Sequence, residues 1–147
     1  RGNKQYVMEY AKRTKLTDRI VFAGFVPNSD MPYLYRQSLA LVMPTYFGST
    51  NMPPLEAFQL GVPVLYSNID GAKEQLDKAA FLLDINDVYS FVEGVLSLDN
   101  EQTKKDMIEQ GHSQLKRVMK KREFAEEAFC NIFIQYARRQ SCWKNKL

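Results

Sequence analysis

The sequence predicts an α/β fold, a partial doubly wound parallel sheet of the Rossmann-like type that ends in a helical C-terminal tail. Three observations predict it. Short apolar runs alternate with helical patterns over the first half of the chain. These runs lack polar alternation, as strands covered on both faces do. From Asn86 onward only helical periodicity is present. With 147 residues, 45% hydrophobic and 25% charged, the chain has the size and composition of one globular domain.

The first part of the chain predicts a helix, a strand and a second helix. Residues 4–15 carry apolar side chains at helical spacing. Residues 19–24 form an apolar run closed by a glycine, which predicts a short buried strand. A loop over 25–28 follows, and residues 30–37 predict the next helix.

The middle of the chain predicts two further strands with a helix between them. Residues 39–44 are an apolar run that ends in proline. A polar loop with two prolines then leads into a helix to about Leu60, which Gly61 terminates. Residues 62–67 predict a third strand. Pro63 should lie at its first residue, because proline cannot donate to the ladder.

The second half predicts one short strand and then helices. A turn over 68–71 precedes a short helix over 72–77 and a fourth strand over 79–83. Three helices are expected over about 86–97, 100–119 and 123–140. The last one carries an apolar stripe of Phe124, Ala128, Phe129, Ile132, Phe133 and Tyr136, and Cys130 within it is predicted to be a core thiol.

Charge and cysteine usage limit the function classes. The net charge of +3 is too small to predict a nucleic-acid partner. The two cysteines show no metal-ligand spacing and no disulfide framework, which favours a reducing cytosol. No run of about 18 apolar residues predicts a membrane-spanning helix.

Two basic clusters near the C-terminus are interpreted as solvated helix faces. Contact with anionic lipid headgroups or an acidic partner is the alternative. The clusters are Lys116, Arg117, Lys120, Lys121 and Arg122, and Arg138, Arg139, Lys144 and Lys146.

The segment 45–58 is the candidate ligand site. A polar, glycine-bearing loop runs into Pro53 and Pro54, and Glu56 lies in the first turns of the helix. Free N–H groups and the dipole at a helix start bind anions, most often phosphate, and a carboxylate there can accept hydrogen bonds from hydroxyls. This chemistry suits a nucleotide or a nucleotide sugar, and an ordinary loop-to-helix connection is equally compatible with it.

The predicted topology places this segment in a cleft. In open parallel sheets, ligands bind beyond the carboxyl ends of the strands. The loops over 24–28, 44–53 and 67–71 follow three predicted strands, so they are expected to line one cleft.

The run over residues 20–84 resembles the C-terminal domain of the retaining GT-B glycosyltransferases of family 4. The matching motifs are RIVFAGFVP at 19–27, YLY at 33–35, LVMPT at 41–45, PPLEA at 53–57, GVPV at 61–64, Ser67-Asn68, Gly71, and AAFLLD at 79–84. Weaker similarity extends to about residue 137. A loop of the Phe-Gly-x-Thr-Asn type is similar to a bacterial subgroup that makes surface polysaccharides.

The resemblance implies a nucleotide-sugar donor site. The residues it implies are Gly24, Phe25 and Val26 for the base, Gly48, Ser49, Thr50, Asn51 and Met52 for the diphosphate and sugar, and Glu56 for the ribose hydroxyls. Gly48 stands where the family usually has a first Glu near the donor sugar. This departure indicates a variant pocket, with a degenerate site as the alternative. Tyr46 and Phe47 either pack on the donor or belong to the core.

The resemblance also implies that residues 1–147 are a fragment of a donor-binding domain, without its first strands and without the N-terminal acceptor domain. The expected activity of the parent protein is hexosyl transfer from a nucleotide-diphosphate sugar to a glycan or lipid-linked glycan, without a cofactor or metal. Its catalytic residues stay unassigned, and the fragment alone should be inactive. We expect a cytoplasmic protein. A location at the inner face of the membrane is the alternative. A homodimer of the fragment would hide exposed sheet edge.

Two other function classes stay open. A non-catalytic nucleotide-sugar-binding module or partner subunit is slightly favoured by Gly48. An epimerase on the same architecture would need catalytic acids and a histidine in the cleft. Only Glu56, Asp70 and Glu74 are near, and His112 is remote in the sequence, so this class is the least favoured.

Overall fold

A computed structural model describes residues 3–48 and 51–144, with the side chains of 141–144 left undescribed. The chain divides after Met31 into two compact units, each of which is considered by itself. The predicted site residues Ser49 and Thr50 lie outside the described residues.

The first unit contains helix α1, Lys4–Arg13, and a 3₁₀ turn, Thr17–Arg19. The helix is confirmed, and it ends early because Lys15 adopts a left-handed conformation with φ of 59°. The strand predicted over 19–24 is wrong. Ile20 is extended, but no residue of 20–24 pairs with a neighbour in the described chain, and Val21 is 88% exposed. An apolar run is a strand only where a second chain segment supplies the ladder hydrogen bonds.

The second unit is built on a three-stranded parallel sheet in the order β1, β2, β3. The strands are β1, Leu41–Met43; β2, Val64–Ser67; and β3, Ala80–Leu83. Leu65 in the central strand pairs with Val42 on one side and Phe81 on the other. The predicted parallel sheet is confirmed, and Pro63 lies one residue before β2, where its carbonyl still accepts from the Leu41 amide.

One helix of the second unit precedes β1, and a helix follows each of the three strands, as a doubly wound fold requires. They are α2, Met31–Arg36; α3, Met52–Gln59; α4, Ala72–Leu76; α5, Val88–Leu96; and α6, Glu101–Lys144, with a 3₁₀ turn, Ser97–Asp99, before α6. Gly61 ends α3 with φ of 69°, as predicted, and the Val62 amide bonds back to the Ala57 carbonyl.

Helix α6 is one continuous helix of 44 residues, where the sequence predicts two. The expected break after Met119 falls on a run of lysine, arginine and glutamate, which are good helix formers. The part of α6 after Met119 contains neither glycine nor proline. Arg122 Nε lies 2.7 Å from Glu126 Oε1 one turn later, a pair that supports helix across the predicted gap.

The core lies around the central strand, which is buried along its whole length. Leu65, Leu83 and Leu98 form its fully buried cluster. Two helical glycines allow close packing: a Cβ on Gly94 would lie 2.8 Å from the Leu65 side chain, and one on Gly111 would lie 2.8 Å from Phe58. Helices α5 and α6 therefore pack directly on the sheet and on α3.

The C-terminal half of α6 does not join this core. The apolar stripe predicted there is exposed, with Phe124 at 74% and Ile132 at 64%. Cys130 is exposed too, so its assignment as a core thiol is wrong. An apolar helix face is buried only where another element covers it, and no part of the described chain covers this one.

Candidate functional site

The loop after β1 is held by hydrogen bonds to the neighbouring strand. The Thr45 amide donates to the buried Ser67 hydroxyl at the end of β2, at 2.8 Å. The Thr45 hydroxyl donates to the Phe47 carbonyl at 2.7 Å and closes a tight turn. This turn directs Tyr46 and Phe47 to solvent, at 68% and 86% exposure, so their assignment to the core is wrong.

Gly48 lies at the centre of a small polar network. Its carbonyl accepts from the Tyr66 hydroxyl at 2.7 Å and from Asn51 Nδ2 at 2.9 Å. Asn51 Nδ2 also contacts the Tyr66 hydroxyl oxygen. Because Tyr66 is fully buried in β2, the network ties the loop rigidly to the sheet.

The same network explains why glycine occupies position 48. Its φ of 97° is a conformation that residues with a Cβ rarely adopt. A Cβ built there would also lie 2.5 Å from Nδ2 and 2.6 Å from Oδ1 of Asn51. The Asn51 amide therefore takes the space that a glutamate at position 48 would need. Gly48 and Asn51 thus form one local solution, in which the Asn51 amide occupies the space beside a residue that has no Cβ.

The first backbone amides of helix α3 are not capped by a side chain. Asn51 is the N-cap, but its side chain makes no capping hydrogen bond because it is turned to Gly48. Pro53 and Pro54 carry no N–H, so the backbone donors at this end come from Asn51 and Met52. Met52 is 61% exposed. Uncapped amides at a helix start can hold an anion.

Glu56 lies on the exposed face of α3 and is oriented by Tyr35 of α2. The Tyr35 hydroxyl donates to Glu56 Oε2 at 3.1 Å. Burial, followed by the hydrogen bond to Glu56 and its negative charge, raises the pKa of Tyr35 to about 12. The tyrosine therefore stays a neutral donor at physiological pH. Glu56 Oε1 is left to accept hydrogen bonds from a ligand.

An open depression of about 490 Å³ lies at the carboxyl ends of β1 and β2. It is lined by Tyr46, Phe47, Gly48, Asn68, Ile69 and Asp70. The loops after these two strands meet there, as the sequence predicts for two of its three cleft loops. Gly71, with φ of 79°, completes the predicted Asp70–Gly71 turn and begins α4.

The remaining predicted residues are placed as follows. Gly48, Asn51, Met52 and Glu56 lie together along the loop and the first turns of α3. Gly24, Phe25 and Val26 belong to the first unit, where Gly24 has φ of 68° and Phe25 is 90% exposed. Their role toward the base stays a prediction.

Sequence reasoning missed three side chains that shape this region. The sequence pattern indicates only that Tyr35 and Tyr66 are apolar members of a helix and a strand, and that Gln75 is a polar surface residue. Gln75 Nε2 donates to the Asn51 carbonyl at 2.8 Å and so anchors the start of α3 from α4. The YLY motif was the one available signal for Tyr35, and nothing local marks the other two.

Two further features are absent from the part of the chain that the structure describes. It contains no group of three or more His, Cys, Asp or Glu side chains able to hold a metal ion. Over the same residues, no helix combines the length and apolar character needed to cross a membrane. His112 is exposed on α6.

Most of the chain matches one protein-family model. The family described as glycosyl transferases group 1 matches residues 1–114, more than three quarters of the length. The chain belongs to the group 1 glycosyltransferases. This membership confirms the resemblance that the motifs indicate.

Curated relatives of this family member are bacterial enzymes. O-antigen chain mannosyltransferase B of Escherichia coli is 33% identical over 99 residues, which cover 67% of this chain and 26% of the relative. O-antigen chain mannosyltransferase RfbU of Salmonella typhimurium strain LT2 is 26% identical over 101 residues, 67% of this chain and 29% of the relative. A UDP-Gal:α-D-GlcNAc-diphosphoundecaprenol α-1,3-galactosyltransferase of E. coli is 27% identical over 97 residues, which cover 63% of this chain and 24% of the relative. The chain spans about a quarter of the length of these relatives.

A solved structure supports the fold. Sucrose-phosphate synthase from Thermosynechococcus elongatus superposes with a TM-score of 0.71 at 15% identity, over 86% of this chain and 34% of that protein. The match confirms the predicted Rossmann-like GT-B fold.

Proposed function

We propose that this glycosyltransferase chain binds a nucleotide-diphosphate sugar and serves an enzyme that transfers the sugar to a glycan in bacterial polysaccharide biosynthesis. The observation that carries the proposal is Glu56, exposed on α3 beside the uncapped start of the same helix and held by Tyr35. The Glu56 carboxylate can accept hydrogen bonds from ribose hydroxyls, and the backbone amides at the start of α3 can donate hydrogen bonds to phosphates. The two kinds of group lie side by side, as binding of a nucleoside diphosphate requires. The three bacterial relatives, named as mannosyl- and galactosyltransferases, support the reaction class.

The ribose is assigned to Glu56. A carboxylate accepts two hydrogen bonds from neighbouring ribose hydroxyls, and charge makes such bonds stronger than neutral ones. Tyr35 already occupies Oε2. The ribose would therefore approach Oε1 and the remaining lone pair of Oε2, on the exposed side of α3.

The diphosphate is assigned to the start of α3, where Asn51 and Met52 supply amides, together with Ser49 and Thr50. The leaving nucleoside diphosphate gains negative charge as the glycosidic bond breaks. Fixed amides and the positive end of the helix dipole stabilise this charge in the transition state. This step would use neither a metal nor a cofactor, and its catalytic residues are unassigned.

The donor sugar is assigned to the Gly48–Asn51 corner and the depression next to it. We infer that the Asn51 side chain stands in for the glutamate that the family resemblance implies at position 48, because it lies against the place where a Cβ of residue 48 would be. An amide rather than a carboxylate would then face the sugar. The base is assigned to the backbone of Gly24, Phe25 and Val26.

The acceptor and the cellular setting are finer proposals. The acceptor is a glycan or a lipid-linked glycan, reached at the cytoplasmic face of the membrane. The basic clusters of α6 would contact anionic headgroups there, and self-association would cover the β1 edge. By itself the chain should bind donor without turnover, because no acceptor site is assigned to it.

A second candidate is a non-catalytic nucleotide-sugar-binding subunit. Gly48 favours it, since the position of the usual acid has no side chain. Donor hydrolysis or transfer by the parent protein that Asn51→Ala abolishes would exclude this alternative. Donor binding without turnover by the parent protein and its partners would support it.

Calorimetric titration of the chain with UDP, GDP, ADP and dTDP tests the proposal. Binding of at least one nucleotide is expected, with a Kd that Glu56→Gln weakens. Failure of all four to bind at about 10 mM, a level at which even weak sites are occupied, would contradict it.

A further inference from the structure

A glutamine of α4 holds the first peptide group of α3. Gln75 Nε2 donates to the Asn51 carbonyl at 2.8 Å, across 24 residues of chain. The carbonyl of an N-cap residue already accepts the first hydrogen bond of its own helix, so Gln75 uses the second lone pair of this oxygen. Because a carbonyl can only accept, the nitrogen of the Gln75 amide is the atom that faces it. Helix α4 therefore fixes the peptide between Asn51 and Met52.

Gln75 is itself held in place. Its backbone amide donates to the Gly71 carbonyl at 3.2 Å, within α4. Its backbone carbonyl accepts from Gln114 Nε2 of α6 at 2.8 Å, and Gln114 is buried. The main chain of Gln75 is thus bonded on both sides, and its side chain, which is half-buried, has a fixed base from which to reach α3.

The planar peptide transmits this constraint to the Met52 amide. The Asn51 carbonyl and the Met52 N–H belong to one trans peptide group, so they point in opposite directions. The carbonyl faces α4, and the N–H is therefore directed away from it. Because Pro53 and Pro54 carry no N–H, the Met52 amide is the last backbone donor before Leu55. A hydrogen bond to the carbonyl also polarises the peptide and strengthens its N–H as a donor.

We propose that Gln75 is a positioning residue for the donor diphosphate, which it serves by directing the Met52 amide towards a phosphate oxygen. This role rests on the proposed function, because it requires a diphosphate at the start of α3. Gln75 contacts no ligand itself. It acts through the Asn51–Met52 peptide, whose fixed direction spares the site the cost of reorganising when the anion binds. A purely structural role would instead weaken the binding of every ligand alike.

Amide NMR titration of the isotope-labelled full chain tests the role. The ligands are the nucleoside diphosphate among UDP, GDP, ADP and dTDP that binds wild type most tightly, and the corresponding nucleoside. Gln75→Met keeps the length of the side chain and removes the donor. It should raise the Kd of the diphosphate about fivefold and leave that of the nucleoside within about twofold, because the nucleoside lacks the phosphates. In wild type, the Met52 amide signal should shift with the diphosphate and not with the nucleoside.

The control is Gln135→Met, the same substitution at an exposed position of α6, which should bind both ligands like wild type. Equal losses of both ligands in Gln75→Met, or a wild-type Kd for the diphosphate, would overturn the positioning role alone. A Met52 amide signal that does not respond to the diphosphate would overturn it too, even if Gln75→Met failed to fold. Failure of wild type to bind any of the four diphosphates would instead contradict the proposed function, and this role with it.

Discussion

The hydroxyl of Tyr35 donates a hydrogen bond of 3.1 Å to Oε2 of Glu56 and joins α2 to the exposed face of α3. Tyr35 is 8% exposed, so packing fixes its hydroxyl, the hydrogen-bond donor, before any ligand binds. A preorganised carboxylate loses less conformational entropy on binding than a free one.

Tyr35→Phe should therefore weaken nucleoside diphosphate binding without abolishing it. Loss of a neutral donor to a carboxylate costs about 1 kcal/mol, which corresponds to roughly a fivefold rise in Kd. Tyr33→Phe, on the same helix but 64% exposed, serves as the control and should bind like wild type. An unchanged Kd in Tyr35→Phe would show that the tyrosine does not position Glu56.

The pH dependence of the free energy of unfolding should reveal the hydrogen bond between Tyr35 and Glu56. The pKa of Tyr35 is raised from 10.0 to about 12 in the folded chain, so the folded state keeps its proton where the unfolded state loses it. Its contribution is fully present below about pH 10 and is lost as the pH rises towards about 12. Between these values the free energy of unfolding should fall more steeply in wild type than in Tyr35→Phe. Urea unfolding across this window measures it, and parallel curves would contradict the assignment.

Gly48→Ala tests the match between Gly48 and Asn51. The substitution should lower the free energy of unfolding by about 1–3 kcal/mol, from positive-φ strain and contact with the Asn51 side chain. In an Asn51→Ala background the contact is gone, so the same substitution should cost less. A double-mutant cycle by chemical denaturation measures this coupling. Strictly additive costs would show that the two residues do not compete for space.

Tyr66→Phe should loosen the loop after β1. The variant removes the hydroxyl that donates to the Gly48 carbonyl and should cost about 1–2 kcal/mol, because Tyr66 is fully buried. Amide hydrogen exchange should rise at Phe47 while β3 keeps its protection. Unchanged exchange at Phe47 would mean that the hydroxyl does not hold the loop.

Cys130 should react with a thiol reagent in the native chain at the rate of an exposed thiol. It lies on the half of α6 whose apolar stripe is exposed. Comparison of labelling in wild type and Cys130→Ser isolates its contribution from that of Cys142. Protection of Cys130 in the native chain would show that a second molecule covers this half of α6.

The three strands of the second unit could be predicted because each apolar run is bounded by proline, glycine or a turn. The run over 19–24 has the same local character, but pairing is a tertiary property that no local signal contains. The same limit applies to α6. The charged run after Met119 was interpreted as a boundary, although its residues favour helix and only packing distinguishes the two halves.

The site could be predicted where chemistry is local. The carboxylate of Glu56 and the proline-bearing helix start are visible in the sequence, and the family resemblance assigned their roles. The fit between Gly48 and Asn51 could not be predicted, because it depends on the positive φ of Gly48 and on how close the Asn51 side chain lies to its Cα. Tyr35, Tyr66 and Gln75 were missed because their partners lie 21, 18 and 24 residues away in the chain.

The most direct test is a binding cycle between Glu56 and the ribose hydroxyls. The Kd values of the preferred ribonucleoside diphosphate and its 2′,3′-dideoxy analogue are measured by calorimetry on wild type and Glu56→Gln, with Glu123→Gln as the surface control. Removing either the carboxylate or the hydroxyls should raise the Kd about tenfold, and removing both should cost little more, because each change breaks the same hydrogen bonds. Full additivity of the two losses, or equal binding of the ribonucleotide by Glu56→Gln and wild type, would contradict the assignment of Glu56 to the ribose.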